Sequence, residues 1–439
     1  MEKDKKSAQI LYYDLYGKRE EKYNFLLEND LQTVEWKELQ PQEPYYFFVP
    51  KDFSLQEEYE KGFKIDELFN LNGVGICSKR DGFTIHETKE KLINTIKEFV
   101  SLNDKEARSR FNLGKDTDWK LSEAKKDLTN NPDFSKITKL NYRPFDIRYT
   151  YHSNIKGFHA RPVYNIMQHF TKGENIGLVV SRQCDSDWRY IFITKNITDL
   201  NLIATAAKFG GGYIFPLYRY IESFGSMEKE ANLNKETVTR FQNSLQLTAP
   251  PTPEQIFDYV YAVLHSPAYR ERYREFLKID FPRVPYPENT EQFLKLVELG
   301  GKLRRLHLME GVEPKSGMSD FPVAGSNEVE KPHFVCHSAP DAESPANNKI
   351  AGQARNDDRV YINETQYFDC VPPEAWNFYI GGYQPAQKWL KDRKGQTLGY
   401  ENIVHYQMII RVLMEAGEVM REVDEMIGSM SFILFEEIG

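Results

Sequence analysis

Cysteine is scarce: Cys77, Cys184, Cys336 and Cys370 stand far apart and form no CxxC pair. That spacing supports neither a disulfide framework nor a zinc site, and free thiols are expected. No run approaches the roughly 18 apolar residues that cross a bilayer, and the opening MEKDKKSAQ lacks the apolar core of a secretory signal. The chain is therefore expected in the cytoplasm, away from membranes. The signatures of self-sufficient enzymes are missing as well. There is no phosphate-cradling GxxxxGK[ST] loop, no HExxH metal motif and no GxSxG nucleophile elbow. Residues 265–269 (HSPAY) come nearest to the [NDS]PP[YF] tetrapeptide with which adenine methyltransferases hold their target amine. Only one proline is present and no glycine-rich donor loop precedes it, so a proline-broken helix is the reading. Asp185 and Asp187 could offer oxygen ligands to Mg²⁺, yet a nuclease site also needs a nearby lysine. No catalytic residue and no metal ligand is assigned.

What is present is an uneven distribution of charge. The chain carries a net −8, with 57 Lys/Arg against 65 Asp/Glu. Residues 136–220 hold twelve Lys/Arg against five Asp/Glu, a local +7 that leaves −15 for the rest. An acidic total argues against indiscriminate nucleic-acid binding, which needs many phosphate-facing cations. One basic, aromatic-rich face for a polyanion remains allowed. Its centre is residues 140–151 (LNYRPFDIRYTY), followed by HARPVY at 159–164, SRQCDSDWRY at 181–190 and FGGGYIFPLYRY at 209–220.

At 439 residues the chain exceeds the size of one ordinary core, and more than one domain is expected. Residues 1–70 read as a connector in which QPQEPYYFFVP runs extended. Residues 71–246 read as a mixed α/β domain. Its strand candidates are ITKLNYRPF, IRYTYHS, IGLVVSR, YIFITK and YIFPLY, short and rich in β-branched or aromatic residues. HETKEKLINTIKEFVSL, VYNIMQHF and ITDLNLIATAAK suit helices, and ESFGSMEKEANLNKETV reads as a linker. Residues 247–310 are helical: Thr252 caps a helix opening with Pro253, and a later one continues unless Gly300–Gly301 breaks it. Residues 311–357 lose periodicity and read as a mobile insertion. Residues 358–439 hold short strands, the basic KWLKDRK and a long final helix. The fold class is α/β (mixed α+β), with a central mixed sheet and a more helical C-terminal part.

Arginine can grip guanine bidentately and glutamine can grip adenine, whereas lysines and tyrosine hydroxyls hold phosphates. On that chemistry Arg143, Arg161, Arg182 and Gln183 are the base-contact candidates. Lys79, Arg80, Arg148, Tyr151, Lys388, Lys391, Arg393 and Lys394 are the phosphate candidates. For each arginine the competing reading is a structural ion pair, with Asp146 or Asp185 the nearest carboxylates. Gly73, Gly75 and Gly82 could bring backbone amides close to a phosphate, or simply make a turn.

The phrases NGVGICSKRDGFTI, LNYRPFDIRYTY, ARPVYNIM, IFDYVYAVLHSPAYRERYREFLKIDFPRVPYP, LGGKLRRLHLM and VPPEAWNFYIGGYQPAQKWLKDRKGQTL occur here in one order. They resemble the carboxy-terminal part of single-chain type ISP and type IIG restriction-modification enzymes, the adenine-specific DNA methyltransferase fusions. The resemblance runs from about Tyr12 to the final helix, with 311–357 unmatched. It implies a target recognition region that reads a short asymmetric site in double-stranded DNA, for methyltransferase and nuclease domains in cis or trans. It places S-adenosylmethionine and Mg²⁺ with those absent catalytic domains and implies no cofactor and no enzymatic activity in this chain itself. Two rivals stand beside it: an interaction scaffold that docks a separate methyltransferase subunit, and a cryptic DNA-modifying enzyme.

Overall fold

The structure, a computed structural model, describes residues 8–129, 131–205, 211–223, 225–336 and 358–428. It divides into residues 1–57 and 58–439. In the first unit Ile10–Tyr12 pairs antiparallel with Lys37–Leu39, and Tyr13 stacks on Phe25 at 5.5 Å. Its helix Arg19–Glu28 buries no residue, and Tyr16, Leu27, Leu31 and Phe48 are exposed.

The second unit is built on two small sheets. The first is wholly antiparallel, in the order Gly73–Val74, Gly212–Pro216, Gly177–Ser181, Ile191–Thr194. The second sets Ile137–Arg143 between Asp146–Tyr151 and the parallel Ile197–Thr198. Each of the five strand candidates contributes one of these strands. One segment joins the sheets: past Val74 the chain reaches Ile76, which donates to the Thr198 carbonyl at 2.8 Å. Gly75 permits this crossing, since a Cβ there would stand 2.6 Å from the Asp199 backbone. That glycine serves a close approach of two backbones, not a phosphate.

Helix Lys89–Ser101 starts where the Thr88 hydroxyl accepts from Lys91 N–H, and its Leu92, Ile96 and Phe99 are buried. They pack with Phe83, Trp119, Leu121, Tyr151 and Phe158 into one core cluster. Each such side chain contributes about 1.5–3 kcal/mol through the apolar surface it buries. Two expectations fail in this region. The helix expected from ITDLNLIATAAK does not form over the described part, where Ile197–Thr198 is a strand; residues 206–208 lie outside the described residues. The expected linker contains a hairpin, Tyr218–Ser223 paired with Ser226–Ala231.

Towards the C-terminus helices dominate. Pro253–His265, capped by Thr252, is buried at every position from Ile256 onward, packed between Thr290–His307 and Tyr400–Gly428. Gly300 and Gly301 do not break Thr290–His307. A Cβ on Gly300 would lie 1.8 Å from the Asp258 carbonyl oxygen, so this glycine lets two helix backbones meet. Gly300→Ala should therefore lower stability by about 1–3 kcal/mol through overpacking, measured by chemical denaturation. HSPAY is structural: Ser266 caps Pro267–Arg272, and Tyr269 is buried. Of the expected insertion, residues 337–357 lie outside the described residues, while His333–Val335 pairs with Arg359–Tyr361.

Candidate nucleic-acid interface

Strand register brings four of the ten basic candidates, Lys79, Arg80, Arg161 and Arg182, to one end of the antiparallel sheet. Ser181 lies opposite Gly212, and Tyr213 lies opposite Val74. Arg182 and Gln183 therefore leave the sheet at the end where the 73–74 strand runs on into Gly75, Ile76 and Cys77. Cys77 pairs with Arg161 through both backbone hydrogen bonds, each 3.0 Å, which places Arg161 beside the same loop. Two residues later Lys79 adopts φ 62°, a left-handed turn conformation, and its side chain is exposed.

Exposed members of this set carry one carboxylate contact each or none. Arg161, with its side chain 64% exposed, meets Asp118 at 2.9 Å. Arg182, 51% exposed, meets Asp280 at 2.6 Å, and Lys64 holds the other oxygen of Asp280 at 2.7 Å. Burial works against ionised Asp280, and the two cations outweigh it and keep its carboxyl below the ordinary range. Gln183 donates from Nε2 to the Ile279 carbonyl at 3.0 Å. Arg80 is half-buried, clamped by the Lys79 and Lys115 carbonyls at 2.8 Å and lying 5.1 Å from the centre of the Trp119 ring. The contribution of Lys115 and Trp119 was not legible in the sequence, because nothing in the spacing joins 80 to 115.

Four candidates lie inside the protein. Arg143, 9% exposed, donates to Asp199 at 2.7 Å. Arg148 donates twice to Asp146 Oδ2, at 3.1 and 2.8 Å, and Arg393 donates to Oδ1 of the same residue at 3.0 Å. Tyr151, 1% exposed, belongs to the core cluster. The physical reason is common to the three arginines: a buried guanidinium is tolerated only with a carboxylate and further acceptors around it. All three guanidiniums are engaged within the protein. Arg143 and Arg148 stand 3.9 and 4.2 Å from the centre of the Tyr142 ring, whose hydroxyl donates to Asp81 at 2.9 Å. Asp81 also accepts from Ser78, which fixes the loop that presents Lys79. Burial pushes the Asp199 carboxyl up to about 6, against the pull of Arg143.

The second basic cluster joins this framework through Tyr383. Its ring centre lies 5.6 Å from Arg143 and 5.9 Å from the Lys388 ammonium. The turn before it is pinned by Gly381 N–H to the Arg189 carbonyl and Gly382 N–H to the Ile203 carbonyl, both 2.8 Å. Lys388 pairs with Asp392, while Lys391 and Lys394 are exposed. No group of three or more His, Cys, Asp or Glu among the described residues could hold a metal ion, and no described helix is long and apolar enough to cross a membrane.

The family model for the Type ISP C-terminal specificity domain matches residues 67–422. The fold is similar to three solved structures, each at TM-score 0.63. One is the cryoEM structure of the DrdV–DNA complex, with 21% identity over 96% of this chain and 43% of that one. Another is a nuclease-deletion mutant of the Type ISP restriction-modification enzyme LlaGI in complex with a DNA substrate mimic, with 20% identity over 95% of this chain and 33% of that one. The third is the ATP-dependent Type ISP restriction-modification enzyme LlaBIII bound to DNA, with 18% identity over 89% of this chain and 26% of that one. The chain thus spans less than half the length of each. No curated protein matches it significantly.

Proposed function

Because the chain belongs to the family of Type ISP C-terminal specificity domains, we propose that it reads a short asymmetric site in double-stranded DNA and directs restriction-modification catalysis to that site. The observation that carries this reading is the convergence of Lys79, Arg161, Arg182 and Gln183 on one end of one sheet. Arg161, Arg182 and Gln183 supply the base contacts in this proposal. Each is exposed, and each has one nitrogen held by a neighbour, Arg161 Nη2 by Asp118, Arg182 Nε by Asp280 and Gln183 Nε2 by the Ile279 carbonyl, which orients the fork or amide before DNA arrives. Lys79, Lys388, Lys391 and Lys394 meet phosphates as point charges, and Arg80 holds the turn that carries Lys79.

The catalytic partner is a methyltransferase and nuclease, in cis or in trans. Residues 1–57 support this part of the proposal: Tyr16, Leu27, Leu31 and Phe48 expose more apolar surface than so small a unit has reason to leave in water. S-adenosylmethionine and Mg²⁺ would belong to that partner.

The test is selection of bound duplexes from a random pool at about 150 mM salt. An enriched asymmetric motif is expected, and a pool that stays random would overturn the reading. With the motif in hand, Arg182→Ala should cost about 1–3 kcal/mol and relax one position of it, whereas Lys79→Ala should weaken all sequences alike.

A further inference from the structure

Three residues beyond Arg161, Tyr164 enters the wall of a cavity of about 510 Å³, inside the roughly 300–1,000 Å³ range of ligand sites. Val163 makes the turn between them at φ 48°, ψ 44°, a left-handed conformation that β-branched residues rarely adopt. Lys136 and Thr138, at the start of strand Ile137–Arg143, form a second wall, and His152 and Asn154 form a third. Phe170 closes the back.

The chemistry of these walls is selective. The His152 ring stacks on Tyr164 with centroids 5.6 Å apart and planes 22° from parallel. His152 Nε2 donates to the Pro162 carbonyl at 3.0 Å, and burial holds the imidazole below its usual pKa, so the pair is a flat, uncharged platform. Around it are polar ends with nothing to bind among the described residues: the Asn154 amide, the Thr138 hydroxyl and the Tyr164 phenol. The Lys136 ammonium makes one ring contact, to Tyr151 at 5.8 Å, and no ion pair among the described residues. No carboxylate among the described residues lines the cavity.

A larger cavity, of about 630 Å³, shares Phe170 and Thr171 with this one and differs in kind. There Arg304 is paired with Asp258 at 2.7 Å, Lys195 with Glu310, and Glu254 accepts from the Tyr218 hydroxyl. Its charged groups are largely satisfied from within. In the smaller cavity Lys136, the one charged group among the described lining residues, has no ion pair, although after the two hydrogen bonds from Ser135 its charge helps hold the nearby Asp133 carboxyl below the ordinary range.

We propose that the cavity bordered by Tyr164, His152 and Lys136 binds a nucleotide: the base stacks on the Tyr164–His152 platform, Asn154 and Thr138 bond its edge, and Lys136 takes its phosphate. A ring system with donors and acceptors at its edge and one adjacent anion uses each unengaged group, and the carboxylate-free lining disfavours cationic ligands. The nucleotide is either free or an unstacked residue of the DNA on the adjoining interface. The pocket stands without the DNA-recognition reading; the second source rests on it.

Isothermal titration of the full chain with the four deoxynucleoside monophosphates tests the pocket. Saturable binding of at least one is expected. Tyr164→Ala should weaken it by about fivefold to about 150-fold, the range of base–aromatic stacking. Lys136→Ala, at an exposed side chain, should weaken the monophosphate and leave the corresponding nucleoside unchanged, and it serves where Tyr164→Ala fails to fold. No binding by the folded wild type, or an affinity that neither substitution moves, overturns the proposal even if a duplex motif is enriched. Monophosphate binding without any enriched duplex would instead remove the DNA reading and leave this one. Tighter binding of a duplex with one unpaired nucleotide than of the paired duplex, lost in the Tyr164 variant, assigns the base to DNA; equal binding assigns the pocket to a free nucleotide.

Discussion

Raising salt from 50 to 200 mM should weaken binding of the selected duplex by about 150-fold. The figure follows from counterion release, in which log K falls with log salt at a slope of about −0.9 for each phosphate neutralised. Lys79, Lys388, Lys391 and Lys394 are the four proposed phosphate contacts, which sets a slope of about −3.6. Had every phosphate candidate read from the sequence acted, Arg80, Arg148 and Arg393 would make seven cations, a slope of about −6.3 and a loss of about 6,000-fold. Arg148 and Arg393 lie against the buried Asp146 and Arg80 is clamped by two carbonyls, so none is as open to a phosphate as Lys388, whose own ion pair with Asp392 is partly exposed. A salt titration followed by fluorescence anisotropy separates the two cases. A slope near −6 would mean that the interior arginines swing outward on binding, and one near zero would point to a dry contact and favour the scaffold reading.

The same contrast shows what the sequence could and could not carry. The strands at 137–143, 146–151, 177–181, 191–194 and 212–216 were legible because β-branched and aromatic residues crowd short runs bounded by turn residues. The hairpin at 218–231 was not, because its second strand, SMEKEA, is exposed throughout and shows no apolar alternation. At the interface, residue type identified the cations but not their surroundings. Arg143 finds its carboxylate 56 positions away, and Arg393 finds Asp146 across 247. Asp146 was weighed as a partner for nearby arginines, yet nothing local reveals that a cation from the far end of the chain shares it. Gly300 and Gly75 show the same limit, since a glycine that admits another backbone looks in sequence like one that ends an element.

Asp146→Ala should destabilise residues 58–439 by about 3–5 kcal/mol, the cost of leaving buried charge without its partner. Asp146 is 1% exposed, and both its oxygens are engaged, Oδ2 by Arg148 and Oδ1 by Arg393. Its removal strands two guanidiniums, and neither the Tyr142 ring beside Arg148 nor the Trp389 ring beside Arg393 can neutralise them. It also cuts a direct tie between the Lys388–Lys394 segment and the central hairpin, with the Tyr383 ring still between Arg143 and Lys388 and His405 Nε2 still bonded to the Phe145 carbonyl at 2.7 Å. An exposed pair such as Arg110–Glu98 should by comparison matter far less, since solvent screens it. The pH dependence carries a sign that can be checked. Burial opposes ionisation of Asp146, and Arg393 and Arg148 outweigh it, so the folded pKa is depressed below the unfolded value of about 3.9. Its contribution is then present above that unfolded value and is lost as pH falls through the folded one. Denaturant titrations at pH 7 and pH 3 should show a smaller difference in the variant than in the wild type. A variant that loses under about 1 kcal/mol at pH 7 would mean that Arg148 and Arg393 reach water without Asp146, and the two arginines would return to the list of phosphate contacts.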